Sequence, residues 1–185
     1  MRLTFHPLTP ARWDDFEKLF GERGACAGCW CMWWRISKSE FDKNKGAGNR
    51  RAMKKIVNDG RVPGILAYAG GEPIGWCSVA GRQEFVRLES SRTLKRLDDQ
   101  PVWSIVCLFI AKPWRRQGVS VALLNAAADY ARKKGARIVE GYPTEPGQKL
   151  PDPFIWTGVV SSFTRAGFEE VARPARTRAI MRRVF

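Results

Sequence analysis

One histidine, His6, occurs in the whole sequence of 185 residues. That scarcity argues against a His-rich metal centre and leaves any Ser-His-Asp triad to a single N-terminal imidazole. Long apolar runs are missing as well: no stretch of eighteen apolar residues occurs, so no transmembrane helix is expected. The opening residues, Met1-Arg2-Leu3-Thr4-Phe5-His6-Pro7, hold too few apolar side chains for a signal peptide, and a cytoplasmic location is expected. Acidic residues are few, 18 against 32 Lys and Arg, which gives a formal charge of +14. This balance favours anionic partners such as nucleotides, nucleic acid or acidic metabolites, with plain solubility as the alternative reading. The five cysteines are an odd number, which suits a reducing compartment better than a disulfide framework.

Hydrophobic residues make up 44% of the chain and include eight Trp and ten Phe, enough for the core of one domain spanning residues 1–185. Thr9-Pro10 starts a helix carrying Trp13, Phe16, Leu19 and Phe20, which Gly21 stops. Gly24 to Arg35 reads as a loop or broken helix, and Asn49 caps a second helix through Asn58. Strands at Gly64–Ala69 and Ile74–Val79 form a hairpin through Gly70-Gly71. After a charged connection, residues 81–99, comes an apolar strand from Val102 to Ala111. A helix from Val119 to Lys134, a strand at Arg137–Glu140 and a Pro/Gly-rich loop from Pro143 to Pro153 follow. A helix from Trp156 to Ala166 and strands at Phe168–Ala172 and Thr177–Val184 close a mixed α/β sheet.

The most informative stretch is Val102 to Glu140. Arg115-Arg116-Gln117-Gly118-Val119-Ser120 places two cations and a glycine where a helix begins. Helix starts leave backbone N–H groups unpaired and carry positive potential, so this turn makes a phosphate cradle. Together with Ala166-Gly167-Phe168 ahead of the closing strands, it resembles the GNAT acyltransferase superfamily in element order over nearly the whole chain. The family's phosphate motif, Gln/Arg-x-x-Gly-x-Gly/Ala, is matched by Arg115, Gly118 and Ser120, with Ser at the last small position.

The resemblance implies a mostly antiparallel twisted sheet flanked by helices, with splayed central strands. It implies that amides from Arg116 through Gln117, Gly118 and Val119 to Ser120 hold the pyrophosphate of acetyl-CoA. The strand edge at Phe109 and Ile110 would pair with the pantetheine arm. Glu140 is then the first candidate for the base, with an exposed strand-end charge as the alternative, and Asp98 and Asp99 rank behind it. The family's usual tyrosine acid falls at Phe163, and its usual upstream asparagine at Trp156, so Tyr142, Ser162 or water must protonate the leaving thiolate.

The stretch Cys26-Ala27-Gly28-Cys29-Trp30-Cys31-Met32-Trp33-Trp34-Arg35 has the C-x2-C-x-C spacing that can open a zinc site, but a fourth ligand is needed. Cys77 and Cys107 sit in strands, where a small buried hydrophobe is the simpler reading. By the resemblance, Trp30, Trp33 and Trp34 form a wall of the acceptor pocket, and no metal is expected. The implied function is acetyl transfer from acetyl-CoA to a primary amine of a small metabolite or peptide, by direct attack in a ternary complex. The alternatives are a tRNA-associated acyl or aminoacyl transferase and a CoA-binding module with little catalysis. Weak association with nucleic acid is compatible with the charge, and a monomer or homodimer is expected.

Overall fold

The computed structural model describes residues 2–145 and 155–185. Seven strands form one sheet: β1 (Leu3–Pro7), β2 (Gly64–Ala69), β3 (Glu72–Gly81), β4 (Trp103–Ile110), β5 (Ile138–Gly141), β6 (Glu169–Ala175) and β7 (Arg178–Val184). Their spatial order is β1-β2-β3-β4-β5-β7-β6, and only β4 and β5 run parallel. The helices are α1 (Trp13–Phe20), α2 (Lys38–Lys43), α3 (Ala47–Asn58), α4 (Val86–Glu89), α5 (Val119–Lys133) and α6 (Val160–Arg165).

Two layers cover the sheet. On one face α5 lays Val119, Leu123, Leu124, Ala127, Ala128 and Ala131 against Ile65, Ala67, Cys77, Val79 and Ile105. On the other, Trp13, Phe16 and Phe20 of α1 and Met53, Ile56 and Val57 of α3 pack on Leu66, Tyr68 and Trp76. Both helices show the three- and four-residue spacing that makes one buried stripe.

Several elements differ from the sequence reading. Strand β1 was not anticipated; its five residues pair with β2 from Leu3↔Ala69 to Pro7↔Ile65. Helix α2 was also missed, although Ser37 and Glu40 form a capping box at its start. Asn49 is not a cap. It lies inside α3, buried, and its Nδ2 donates to the Gly28 carbonyl at 3.0 Å. The last helix begins at Val160 rather than Trp156, because Gly158 adopts φ +83 in between. Of the expected 143–153 loop, residues 146–153 lie outside the described residues.

The parallel pair positions the site. Strands β4 and β5 pair only through Trp103↔Val139, Ser104↔Glu140 and Ile105↔Gly141, after which β4 continues to Ile110 paired with β3 and without β5. Gly141 marks the divergence: a Cβ there would sit 2.1 Å from Cε1 of the fully buried Phe163. Gly141→Ala is expected to lose about 1–3 kcal/mol through overpacking. Urea unfolding reads this directly, and an unchanged midpoint would contradict the close approach.

Candidate active site

The chain leaves β4 through a single 3-10 turn, Lys112–Trp114, and enters α5 through two left-handed residues, Arg116 at φ +60 and Gly118 at φ +80. Gly118 takes this conformation at no steric cost, whereas for Arg116 it costs about 1–2 kcal/mol. The first helical bond runs from the Ala122 N–H to the Gly118 carbonyl, so the amides before Ala122 precede the helical ladder. With fifteen residues behind it, the start of α5 is a strong site of positive backbone potential. Arg115 is oriented by Nε donation to the Ile110 carbonyl at 2.9 Å. Ser120 Oγ lies 3.4 Å from Ser162 Oγ on α6.

This turn opens into a cavity of about 840 Å³ along the splayed part of β4. At the basic end the walls include Arg115, Arg116, Gly118, Ser120 and Arg165. At the far end they include Phe20, Cys29, Cys31, Trp33, Phe41 and Cys107. Phe109, Ile110 and Ser162 lie along the same cavity. Among the described lining residues there is no Asp or Glu. The cavity therefore joins a cationic mouth to an apolar chamber.

The expected cofactor residues divide by placement. Phe109, Ile110, Arg115, Arg116, Gly118 and Ser120 line the cavity. Gln117 turns outward and donates through Nε2 to the Pro113 carbonyl at 2.7 Å, while the Val119 side chain is buried under the sheet. The Leu108 N–H donates to the Trp156 carbonyl at 2.7 Å, so Leu108 faces away from β3. Polar groups alternate along a strand, so Phe109 directs its own toward β3 and Ile110 directs its own to the open edge. There the Ile110 carbonyl already accepts from Arg115.

Of the three tryptophans expected in the acceptor wall, only Trp33 is among the lining residues. Trp30 is buried and stacks on Phe20 at 5.9 Å, and Trp34 lies against Trp156 at 5.9 Å. Four non-glycine residues of this loop, Ala25, Ala27, Trp30 and Cys31, have positive φ. That backbone has no period, so neighbouring side chains take unrelated directions. Phe20, Phe41 and Cys107 were missed as wall residues because their helical and strand spacing reads equally well as core.

Glu140 and Tyr142 do not line the cavity. Both are 1% exposed and join a buried polar network. Glu140 Oε1 accepts from Tyr142 Oη at 2.6 Å and from Arg82 Nη1 at 3.1 Å, and Oε2 accepts from Arg182 Nε at 2.7 Å. Arg182 also reaches Asp98. Both oxygens are thus held by arginines. Burial and the Glu140 charge push the Tyr142 phenol well above its usual range, away from easy proton donation. The expected base and acid thus form a buried brace. Sequence position at a strand end gave no sign of their partners, 58 and 42 residues away.

Arg82 is the centre of that brace. Its Nη1 donates to Glu140 and Tyr142, its Nη2 to the Leu88 and Leu94 carbonyls, and its Nε to Glu89. Those are all five donors a guanidinium possesses.

The C-terminal arginines, a part of the positive charge, are mostly paired within the chain, although Arg173 and Arg176 are exposed. Arg173 pairs with Glu170 and Glu145, Arg178 donates to the Tyr142 carbonyl and Thr157, and Arg183 donates to Asn125. Cys26 is exposed, and Cys26, Cys29 and Cys31 all line the cavity. Among the described residues no group of three or more His, Cys, Asp or Glu converges on a metal-sized site. No described helix is long and apolar enough to cross a membrane.

Comparison with known proteins places this geometry. An uncharacterized N-acetyltransferase of Methanocaldococcus jannaschii is 28% identical over 172 residues; the match covers 90% of this chain but only 61% of that protein. Among solved structures, a GNAT family acetyltransferase from Streptococcus agalactiae superposes with a TM-score of 0.59 at 13% identity, covering 99% of this chain and 95% of the other. The PaiA N-acetyltransferase of Thermoplasma acidophilum, crystallised with coenzyme A, superposes with a TM-score of 0.55 at 13% identity over the full length of both chains. At these identities the two structures speak to the fold alone. The family model of the GNAT acetyltransferases matches residues 30–148, which contain the anion turn, the splayed strands and most of the apolar chamber. With the sequence match and the sheet order in agreement, the chain belongs to the GNAT acetyltransferase family.

Proposed function

We propose that the protein transfers an acetyl group from acetyl-CoA to the primary amine of a small metabolite or peptide whose amine-bearing end is apolar. The observation carrying this reading is one continuous cavity that starts at the α5 anion turn and ends in an aromatic and thiol-lined chamber. Its volume falls in the range of ligand sites, roughly 300–1,000 Å³. The turn supplies backbone donors with Arg115, Arg116 and Ser120 for phosphate oxygens. The names of the archaeal relative and of the coenzyme A-bound Thermoplasma protein support the same donor.

The acceptor class follows from charge. No described lining residue is a carboxylate, and the protein carries +14 overall, so a polyamine gains nothing here and is repelled at long range. An amine on an aryl or short alkyl group buries apolar surface against Phe20, Trp33 and Phe41 instead. Direct attack in a ternary complex would require this amine to arrive neutral, since no described lining carboxylate can take its proton.

Calorimetry with acetyl-CoA tests the donor, and no binding at millimolar concentration would remove the assignment. An amine panel tests the acceptor. Arylalkylamines or amides of apolar amino acids are expected to exceed spermidine in kcat/KM by about tenfold or more, equivalent to 1.4 kcal/mol. Spermidine turning over equally well would exclude the apolar acceptor.

A further inference from the structure

Four cysteines line the cavity, Cys26, Cys29, Cys31 and Cys107, and the surroundings of the last three differ. Cys31 is 5% exposed and sits at φ +59, directly after Trp30 at φ +46. Consecutive left-handed non-glycine residues are costly and mark a side chain held in a chosen direction. The Cys31 sulfur accepts the indole N–H of Trp76 at 3.2 Å. The thiol of Cys107 is its neighbour on the cavity wall. Cys107 lies on β4 beyond the point where β5 departs, so this pair stands where the two strands open.

A cation stands behind it. Arg35 is 6% exposed, with Nη1 on Glu84 at 3.1 Å and Nη2 on the Pro63 carbonyl at 3.0 Å. Its buried Nε finds no acceptor, and its charge acts on the Cys31 sulfur. A cysteine kept only to fill space requires neither an indole donor nor a buried arginine. Both stabilise a thiolate.

The electrostatics separate the thiols accordingly. The Cys107 thiol, helped by Trp76, Arg35 and Ser78, overcomes burial and lowers the Cys31 thiol to about 7. Burial and the neighbouring Cys31 charge raise Cys29 to about 11. Cys107 is also pushed up, first by Cys31 and then by burial. Of Cys29, Cys31 and Cys107, Cys31 alone is shifted toward the thiolate.

Resting on the acyl-CoA reading above, we propose that Cys31 is an acyl-accepting nucleophile, so that the acetyl group passes from CoA to Cys31 and from Cys31 to the amine. In the first step the Cys31 thiolate attacks the thioester carbonyl. Its S–C bond forms, the C–S bond to CoA breaks, and CoA leaves as a thiolate that takes a proton from water. In the second step the neutral amine attacks S-acetyl-Cys31. The C–N bond forms, the C–S bond breaks, the amine's extra proton goes to water, and the thiolate returns to Trp76 and Cys107. Trp76 and Arg35 act as positioning residues.

The test is a rapid-quench reaction of the intact protein with acetyl-CoA and no amine, followed by CoA thiol release and peptide mapping. The expected result is a burst of one CoA per protein, with a hydroxylamine-labile acetyl group on the Cys31 peptide that added amine discharges as fast as turnover. Cys31→Ala is expected to lose the burst and slow turnover by on the order of 100-fold, with acetyl-CoA affinity retained. Cys29→Ala is expected to keep the label. Normal acetyl-CoA binding and turnover with no label on wild-type Cys31 would overturn the proposal while leaving the acyl-CoA reading intact. Failure to bind acetyl-CoA at all would overturn both. The mapping uses wild-type protein, so a poorly folded variant does not weaken it.

Discussion

Glu140→Ala is expected to destabilise the protein by about 3–5 kcal/mol, the cost of removing the buried carboxylate from an ion-pair network. The substitution removes the acceptor from Arg82 Nη1, Tyr142 Oη and Arg182 Nε together. Arg82 is 1% exposed and cannot turn to water, so its guanidinium would face the space the carboxylate vacated. Glu140→Gln keeps the shape and one good acceptor, and a smaller loss is expected. Urea unfolding of both variants measures this. Steady-state kinetics of folded Glu140→Gln decides the separate question of chemistry: near-normal kcat is expected from a residue outside the cavity. A stability loss below about 1 kcal/mol for Glu140→Ala would show that the brace is not holding the sheet.

The second large effect is expected at the other end of the molecule. Ser120→Glu should weaken acetyl-CoA binding about 100-fold, because a carboxylate replaces a small hydroxyl where an anion is to be held. Ser120 is in the first turn of α5 and lines the cavity mouth. An acidic residue in the first turn favours the helix dipole, so Tm should stay the same or rise slightly. Affinity and stability therefore move apart, which separates a site effect from misfolding. Calorimetry reads the affinity, and a change within about threefold would take the phosphates away from this turn.

The fold was legible wherever a period was sustained. The apolar stripe of α5, the long β4 and the Gly70-Gly71 hairpin are local patterns, and they were read with boundaries near the observed ones. Strand β1 is too short for alternation to register, and α2 carries a single apolar residue, Phe41, within a charged run. Asn49 matches the composition of a cap, but Gly46 at φ +78 turns the chain instead, and Asn49 serves a contact 21 residues away.

The two halves of the site differed for the same reason. The anion turn is six consecutive residues, so its chemistry is written locally. The role of Glu140 depends on Arg82 and Arg182, and that of Cys31 on Trp76, 45 residues distant. Adjacent Trp33 and Trp34 face different surroundings because the loop between α1 and α2 repeats no dihedral pattern. Spacing cannot assign a face where the backbone has none.

The saturation of Arg82 has a kinetic consequence for residues 82–99. In sequence this crossover is charged and irregular, the composition of a segment that frays one residue at a time. Its Leu88 and Leu94 carbonyls and its Glu89 carboxylate instead converge on one guanidinium, which is itself fastened to β5 through Glu140. Opening the stretch from Leu88 to Leu94 takes acceptors from a buried cation, so partial opening there is penalised. That stretch thus behaves as one unit with the sheet it borders. Beyond the single turn of α4, the Arg82 side chain ties this segment to the sheet.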